Sequence, residues 1–317
     1  MVRTLVLGAG GFIGSHLVKS LKEQGHWVRG VDLKYPEHWD TFADEFVIGD
    51  LRDFRVVEEV LDEPFDEVYQ LAADMGGAGY IFTGDNDADI MHNSASINLN
   101  VLDRARKIGV KGVFYSSSAC IYPAYNQANP DDFTCVETSA YPAEPDSEYG
   151  WEKLFSERLY MSYNRNYGMT NKIARYHNIF GPYGTYDGGK EKAPAAICRK
   201  VALATDHIEI WGDGKQLRSF LYIDECVKFT QKLYRETLYD GPVNIGSTET
   251  VSINMLADMV SDIAGKNLEF RYVDGPTGVR ARTSHNKLIT NLLGEAPKEN
   301  LYQGLIHTYK WIRSQVL

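Results

Sequence analysis

Short apolar runs alternate with stretches of helical spacing through the first third of the chain. Residues 4–7 form an apolar run of strand length, and Phe12, Ile13, Leu17 and Leu21 then recur at helical spacing over 12–23. The same pattern predicts strands at 27–31, 45–48 and 67–71, with a helix over 56–61 ahead of the last of these. A helix over about 90–107, a strand at 112–115, a helix from about 147 to 164 and a strand at 172–175 follow. Strands alternating with helices argue βαβ units and a parallel sheet.

The texture changes after residue 175. Gly181-Pro182-Tyr183-Gly184 and Asp187-Gly188-Gly189 mark loops, followed by a helix over about 194–205 and a strand at 208–211. Segments 219–223, 225–233 and 242–245 are expected to return to the first sheet. From residue 253 onward, short helices surround one β segment at 268–273. The expected division is a cofactor domain over 1–175 with 217–247 returning to it, and a smaller, partly interleaved substrate domain over 176–216 and 248–317.

Length and charge narrow the classes. A chain of 317 residues can bury a sizeable core without disulfide or metal staples. Its 33 Lys and Arg against 43 Asp and Glu give a formal charge of −10, which argues against a nucleic-acid partner. An anionic substrate would have to be held by a few placed cations. No apolar run is long enough to span a bilayer, and the N-terminus does not read as a secretory signal. Cys120, Cys135, Cys198 and Cys226 are too scattered for a disulfide framework or a metal site, so the chain reads as cytoplasmic and no metal is expected. Residues 85–89 resemble the start of a calcium loop. Ile90 and Ser96 stand where glycine and glutamate are required, so this cluster is expected to be a solvated loop.

Candidate chemistry begins at Gly8-Ala9-Gly10-Gly11-Phe12-Ile13-Gly14, between the first strand and the first helix. Gly8, Gly11 and Gly14 are in phase as G-x-x-G-x-x-G, which lets backbone amides, including those of Phe12 and Ile13, approach a pyrophosphate at a helix N-terminus. Asp32 ends the second strand, where a carboxylate takes both ribose hydroxyls and favours NAD over NADP. A plain tight turn is the alternative reading. Asp50, followed by Leu51, either accepts from an adenine amine or caps the next helix, with capping the stronger reading. This pattern predicts an α/β, Rossmann-type doubly wound fold.

Tyr149 and Lys153 lie one turn apart on one helix face, and Ser116-Ser117-Ser118 follow a strand whose end faces a ligand in a parallel sheet. A phenol beside an ammonium can act as a base, with serine bonding the same substrate oxygen. Alone, Y-x-x-x-K is as easily a solvated helix pair.

With these motifs, Ala72-Ala73 and Pro242-Val243-Asn244-Ile245-Gly246-Ser247, essentially the whole chain resembles extended short-chain dehydrogenases/reductases acting on nucleotide sugars. Within that group, three segments resemble the GDP-mannose 3,5-epimerase family: Ser117-Ser118-Ala119-Cys120-Ile121-Tyr122-Pro123, residues 187–196 and Met75-Gly76-Gly77. So do residues 175–179, 211–214, 218–220 and 278–282. No Asp-Glu pair follows Ser118, which disfavours dehydration.

The resemblance implies an NAD cofactor, a GDP-sugar substrate, a homodimer, and Cys120 and Lys192 as the acid/base pair. It places Gly76 and Gly77 near the sugar and has Asn178, Arg218 and Arg282 holding the substrate, the arginines at the diphosphate end. The implied products are GDP-L-galactose and GDP-L-gulose. Plainer readings stand beside these: a structural thiol for Cys120, a diphosphate clamp for Lys192 and a surface charge for Arg282. At the level of function the alternatives are another C4-oxidising enzyme (a 4-epimerase or a GDP-heptose-modifying enzyme) and a non-catalytic NAD sensor. Gly77-Ala78-Gly79-Tyr80 and Trp151 depart from the family pattern beside the sugar.

Overall fold

The computed structural model describes residues 1–129, 131, 134–275 and 278–317. In chain order the elements begin β1 (Arg3–Leu7), α1 (Phe12–Glu23), β2 (Trp27–Asp32), β3 (Glu45–Ile48), α2 (Phe54–Val60), β4 (Glu67–Gln70), α3 (Ala78–Ile81), α4 (Asp87–Lys107) and β5 (Phe114–Ser118). There follow β6 (Thr134–Cys135), α5 (Glu148–Tyr167), β7 (Lys172–Tyr176), β8 (Ile179–Phe180), α6 (Ala193–Leu203), β9 (His207–Trp211), β10 (Leu217–Ser219) and β11 (Leu221–Tyr222). The chain ends with α7 (Ile223–Glu236), β12 (Pro242–Ile245), β13 (Thr250–Ser252), α8 (Ile253–Ala264), β14 (Glu269–Val273), β15 (Ala281–Ser284), α9 (Lys287–Leu293) and α10 (Leu301–Val316). No helix among the described residues is long and apolar enough to cross a membrane.

Seven strands form one sheet in the order β12-β7-β5-β4-β1-β2-β3, every neighbouring pair parallel. Side chains on a strand point alternately to its two faces, and β1 shows the consequence. Leu5 and Leu7 pack with Val57, Val101, Leu102 and Tyr160, from α2, α4 and α5. Val6 packs on the other face with Leu17, Leu21, Val227 and Ile289, from α1, α7 and α9. Both faces are therefore covered by helices, the doubly wound architecture expected from the alternating pattern. A separate core joins α6, α8 and α10 around Ile197, Val201, Leu256, Leu305 and Ile312.

Three expectations shift in detail. The strand expected at 112–115 runs instead through Ser118, because the hydroxyls of Ser116 and Ser117 find partners in Gln70 O (3.3 Å) and Glu157 Oε1 (2.5 Å). Polar residues can occupy a buried strand once their groups are bonded. Asp87 and Asp89 lie in the first turn of α4 rather than in a loop, where a carboxylate favours the positive end of the helix dipole. Segment 219–223 does not join the first sheet. Leu217–Ser219 pairs with β13 and β15 in a four-stranded sheet, β13-β10-β15-β6, and Leu221–Tyr222 pairs with β8. Leu221 and Ile223 still bury against the main core, so that segment returns by packing and only β12 returns by hydrogen bonding.

Candidate active site

The turn after β1 is shaped for close approach. Gly8 has φ +85°, and a Cβ there would sit 2.7 Å from Ala72 N; a Cβ on Gly14 would lie 2.0 Å from Gly8 O. Side chains at these positions would collide with backbone, so the turn stays low against the end of β4. Gly11 precedes α1 in extended backbone and has no side chain to cap the first N–H groups. Phe12 and Ile13 pack their side chains against the main core, leaving their backbone for any ligand at the helix end.

Asp32 accepts from Gly10 N at 2.9 Å and Leu33 N at 2.7 Å. Burial raises its pKa, and these backbone N–H groups offset only part of that rise. Ala72 is braced by fully buried Gln70, whose Nε2 donates to Ala72 O (2.9 Å) and whose Oε1 accepts from Ala72 N (3.0 Å). A low glycine turn, an uncapped helix start and a carboxylate beside them fit a dinucleotide. Asp50 does not cap α2. Its carboxylate takes Arg52 at 2.6 Å, and Asp53 caps the helix by accepting from Arg55 N at 2.9 Å. Leu51 is buried next to this pair.

Ser147 caps α5, its Oγ accepting from Gly150 N at 3.3 Å, which starts the helix so that Tyr149 and Lys153 share its inner face. Both are buried. Lys153 Nζ donates to Ser116 O at 2.9 Å and lies 5.6 Å from the Tyr149 ring centre. Burial drives the Tyr149 phenol well up, nearby Cys120 pushes the same way, and a Ser118 hydrogen bond relieves part of it. Burial also lowers the pKa of Lys153. Ser118 closes β5 at the carboxyl edge of the sheet, and its Oγ accepts from Cys120 N at 3.2 Å.

A second cluster gathers around Cys120, which is half-buried in the turn Ala119–Ile121. Lys192 stands at the N-cap of α6; burial lowers its pKa, Cys120 opposes that shift, and the Arg282 charge adds to it. Arg282 on β15 is buried, donating Nη1 to Cys120 Sγ at 3.3 Å, Nη2 to Asp146 Oδ2 at 2.7 Å and Nε to Gln127 Oε1. Burial alone would lower the guanidinium, but its pairing with the Cys120 sulfur and the Asp146 carboxylate outweighs it.

The parallel register of β10 and β15 sets Arg218 beside Arg282. Burial and then the Arg282 charge push Arg218 down to about 10. Its Nη1 and Nη2 donate to Leu217 O and Val279 O, at 2.8 and 2.6 Å. Asn178 follows β7 at φ +36°, and its Nδ2 donates to Ser219 O at 3.0 Å, tying the two segments that carry β8 and β10. Gly76 and Gly77 are buried, and a Cβ on Gly77 would meet Glu191 O at 2.4 Å. That loop therefore lies directly under the segment leading to Lys192.

Ser118, Tyr149, Lys153, Cys120, Lys192, Arg218 and Arg282 thus converge at the carboxyl edge of the sheet, while Gly8 to Gly14 and Asp32 line the dinucleotide side. Arg282 sits against the thiol with internal partners, not in the open posture of a diphosphate ligand. The sequence reasoning missed Gln70, Asp146 and Gln127. Only the polarity of Gln70 just before Ala72-Ala73 offered a signal, and Asp146 and Gln127 gave none.

A family model described as the NAD dependent epimerase/dehydratase family matches residues 4–246. The chain is 48% identical to GDP-mannose 3,5-epimerase of Arabidopsis thaliana, over 98% of this chain and 82% of that protein. It is 46% identical to GDP-mannose 3,5-epimerase 1 of Oryza sativa subsp. indica, over 99% and 82%. Among solved structures it superposes on UDP-glucose 4-epimerase of Thermotoga maritima, determined with UDP-glucose, at a TM-score of 0.89 and 26% identity over the whole of both chains.

Proposed function

The chain belongs to the NAD dependent epimerase/dehydratase family, and from that premise we propose that it is a GDP-mannose 3,5-epimerase, yielding GDP-L-galactose and GDP-L-gulose. What supports this over a simple 4-epimerase is the meeting of Cys120, Lys192 and Arg282 beside Ser118, Tyr149 and Lys153. The 48% identity to a protein of that activity points the same way.

The Gly8–Gly14 turn and Asp32 would hold NAD, which would supply reversible two-electron (hydride) chemistry at C4 with no net oxidation. Tyr149 removes the C4 hydroxyl proton, with Ser118 hydrogen-bonded to the same oxygen and Lys153 holding positive charge near the phenolate. The resulting ketone acidifies the C–H bonds at C3 and C5. Cys120 and Lys192 take a proton from one face of the ring and return one to the other, which inverts each centre. The half-buried position of Cys120 leaves the thiol within reach of a substrate. Arg218 and Asn178 hold the substrate, with Arg218 toward the diphosphate.

The nucleotide in this reading is GDP, as in the relatives' names. The lobes divide the work, with the seven-stranded sheet and its helices for cofactor and the lobe that carries α6, α8 and the small sheet, including β10 with Arg218, for nucleotide sugar. The reading also takes the enzyme to be a cytoplasmic homodimer, consistent with Leu99, Trp151 and Phe155 being more than 40% exposed on α4 and α5. The test is incubation with GDP-mannose in D₂O followed by NMR. Deuterium should enter at C3 and C5 and not at C4. Products free of carbon-bound deuterium would overturn the proposal and favour a 4-epimerase.

A further inference from the structure

The Arg282 guanidinium touches Cys120 with one nitrogen and is gripped at the other two. Nη1 reaches the sulfur at 3.3 Å, Nη2 reaches Asp146 Oδ2 at 2.7 Å, and Nε donates to Gln127 Oε1. Gln127 is itself fully buried, its amide nitrogen donating to the carbonyls of Tyr122 and Pro123 at 3.0 Å each. The Arg282 and Asp146 side chains are only 7% and 9% exposed, so solvent screens their attraction little. Lys153, Lys192 and Arg218 also feel charge on Cys120, as does Tyr149. Arg282 is distinguished by a direct hydrogen bond to the sulfur.

Cys120 and Asp146 therefore compete for one cation. A guanidinium already paired with a carboxylate offers less to a negative sulfur than an unpaired one. Removing the carboxylate would leave a buried positive charge whose nearest remaining counter-charge is the sulfur. We propose that Asp146 is a positioning residue that restrains negative charge on Cys120 by acting through Arg282. The restraint keeps the thiol able to give a proton as well as take one, as inversion at two carbons requires. The inference rests on the acid/base reading of Cys120.

The test uses NAD-loaded protein without any sugar, so it succeeds or fails independently of whether GDP-mannose is the substrate. Iodoacetamide is added at one neutral pH, and alkylation is followed by mass spectrometry of the peptide carrying Cys120. Cys135, Cys198 and Cys226 are 0% exposed and contribute little signal. The thiolate is the reacting form, so Arg282→Gln should slow alkylation by roughly tenfold, whereas Asp146→Asn should speed it by about threefold or more. In the Arg282→Gln background, Asp146→Asn should have no further effect, since its route to the sulfur is gone. Retained NAD and an unchanged circular dichroism spectrum identify folded variants, and the likewise uncharged Arg282→Met replaces Arg282→Gln if the latter does not fold. Loosened packing would move both single variants in the same direction. That outcome would overturn the proposal, as would an unaltered rate in Asp146→Asn or an Asp146→Asn effect that persists without Arg282.

Discussion

Two clusters share the carboxyl edge of the sheet and are assembled differently. Ser118, Tyr149 and Lys153 come from one strand end and one helix, and the strand and helix are held together by Lys153 Nζ on Ser116 O and Ser117 Oγ on Glu157. Cys120, Lys192 and Arg282 come from a turn, a helix cap and a strand of the small sheet, each in a different part of the chain. The first cluster inherits its geometry from helical periodicity. The second exists only when the lobe carrying α6 and β15 sits on the first sheet. Chemistry at C4 should therefore tolerate disturbance of the second lobe, while chemistry at C3 and C5 should not.

The largest effect expected is from Tyr149→Phe, which removes the phenolic oxygen and little volume. Formation of reduced nicotinamide on adding GDP-mannose should fall by ~10²–10⁴, while Cys120 alkylation stays near its wild-type rate. A matching fall in alkylation would mean that the clusters are one cooperative unit.

Lys192→Ala and Cys120→Ala should do the reverse. Each should reduce deuterium entry at C3 and C5 by about 10², with single-turnover nicotinamide reduction largely retained. Burial lowers the Lys192 pKa, so its free amine becomes available at a lower pH than an ordinary lysine's. The pH profile of wild-type exchange should accordingly level off below the usual lysine range. A limb at the ordinary lysine value would remove Lys192 from the base role.

Asp32→Ala leaves both clusters intact and tests the cofactor side alone. Loss of one negative charge at a partly solvated site should erode the preference for NAD over NADP by roughly tenfold. Equilibrium binding of the two cofactors, followed by fluorescence, measures the ratio, and an unchanged ratio would take Asp32 out of the selection.

The smallest effect belongs to the cap that starts α5. Ser147→Ala should cost about 1 kcal/mol of stability, and Ser147→Asp, an equally good cap, should restore most of it. Thermal unfolding followed by circular dichroism distinguishes the two. Equal melting temperatures for Ser147→Ala and wild type would show that Tyr149 is positioned by packing and not by the cap.

Much of this is legible in the sequence. The helix over 12–23 has the bounds that its apolar spacing suggested, and the edge strand at 45–48 likewise. Tyr149 and Lys153 share a face because of the 3.6-residue repeat, and Ser118 lies at a strand end, both local properties of sequence, while their meeting depends on the bonds that hold β5 to α5. Other features were not legible. A strand through three serines looks polar until Gln70 and Glu157 are known to bond two of them and the Cys120 amide the third. The expected return of 219–223 to the first sheet does not occur by strand pairing, because its apolar residues report burial but not which backbone they pair with.

By itself, then, the sequence determined the alternation of strands and helices, the low glycine turn ahead of Asp32, and the shared face of Tyr149 and Lys153. These depend on backbone sterics and on periodicities of two and 3.6 residues, which act between neighbours in the chain. The tertiary structure alone decided that Arg282 would meet Cys120 rather than lie open to an anion, that Asp146 and Gln127 would hold it there, and that the Gly76-Gly77 loop would lie under Glu191. The physical reason is that such contacts are selected by burial and charge pairing among groups far apart in sequence. A guanidinium excluded from water must find partners in whatever the packed lobes bring within hydrogen-bond reach, and no local pattern records which those will be.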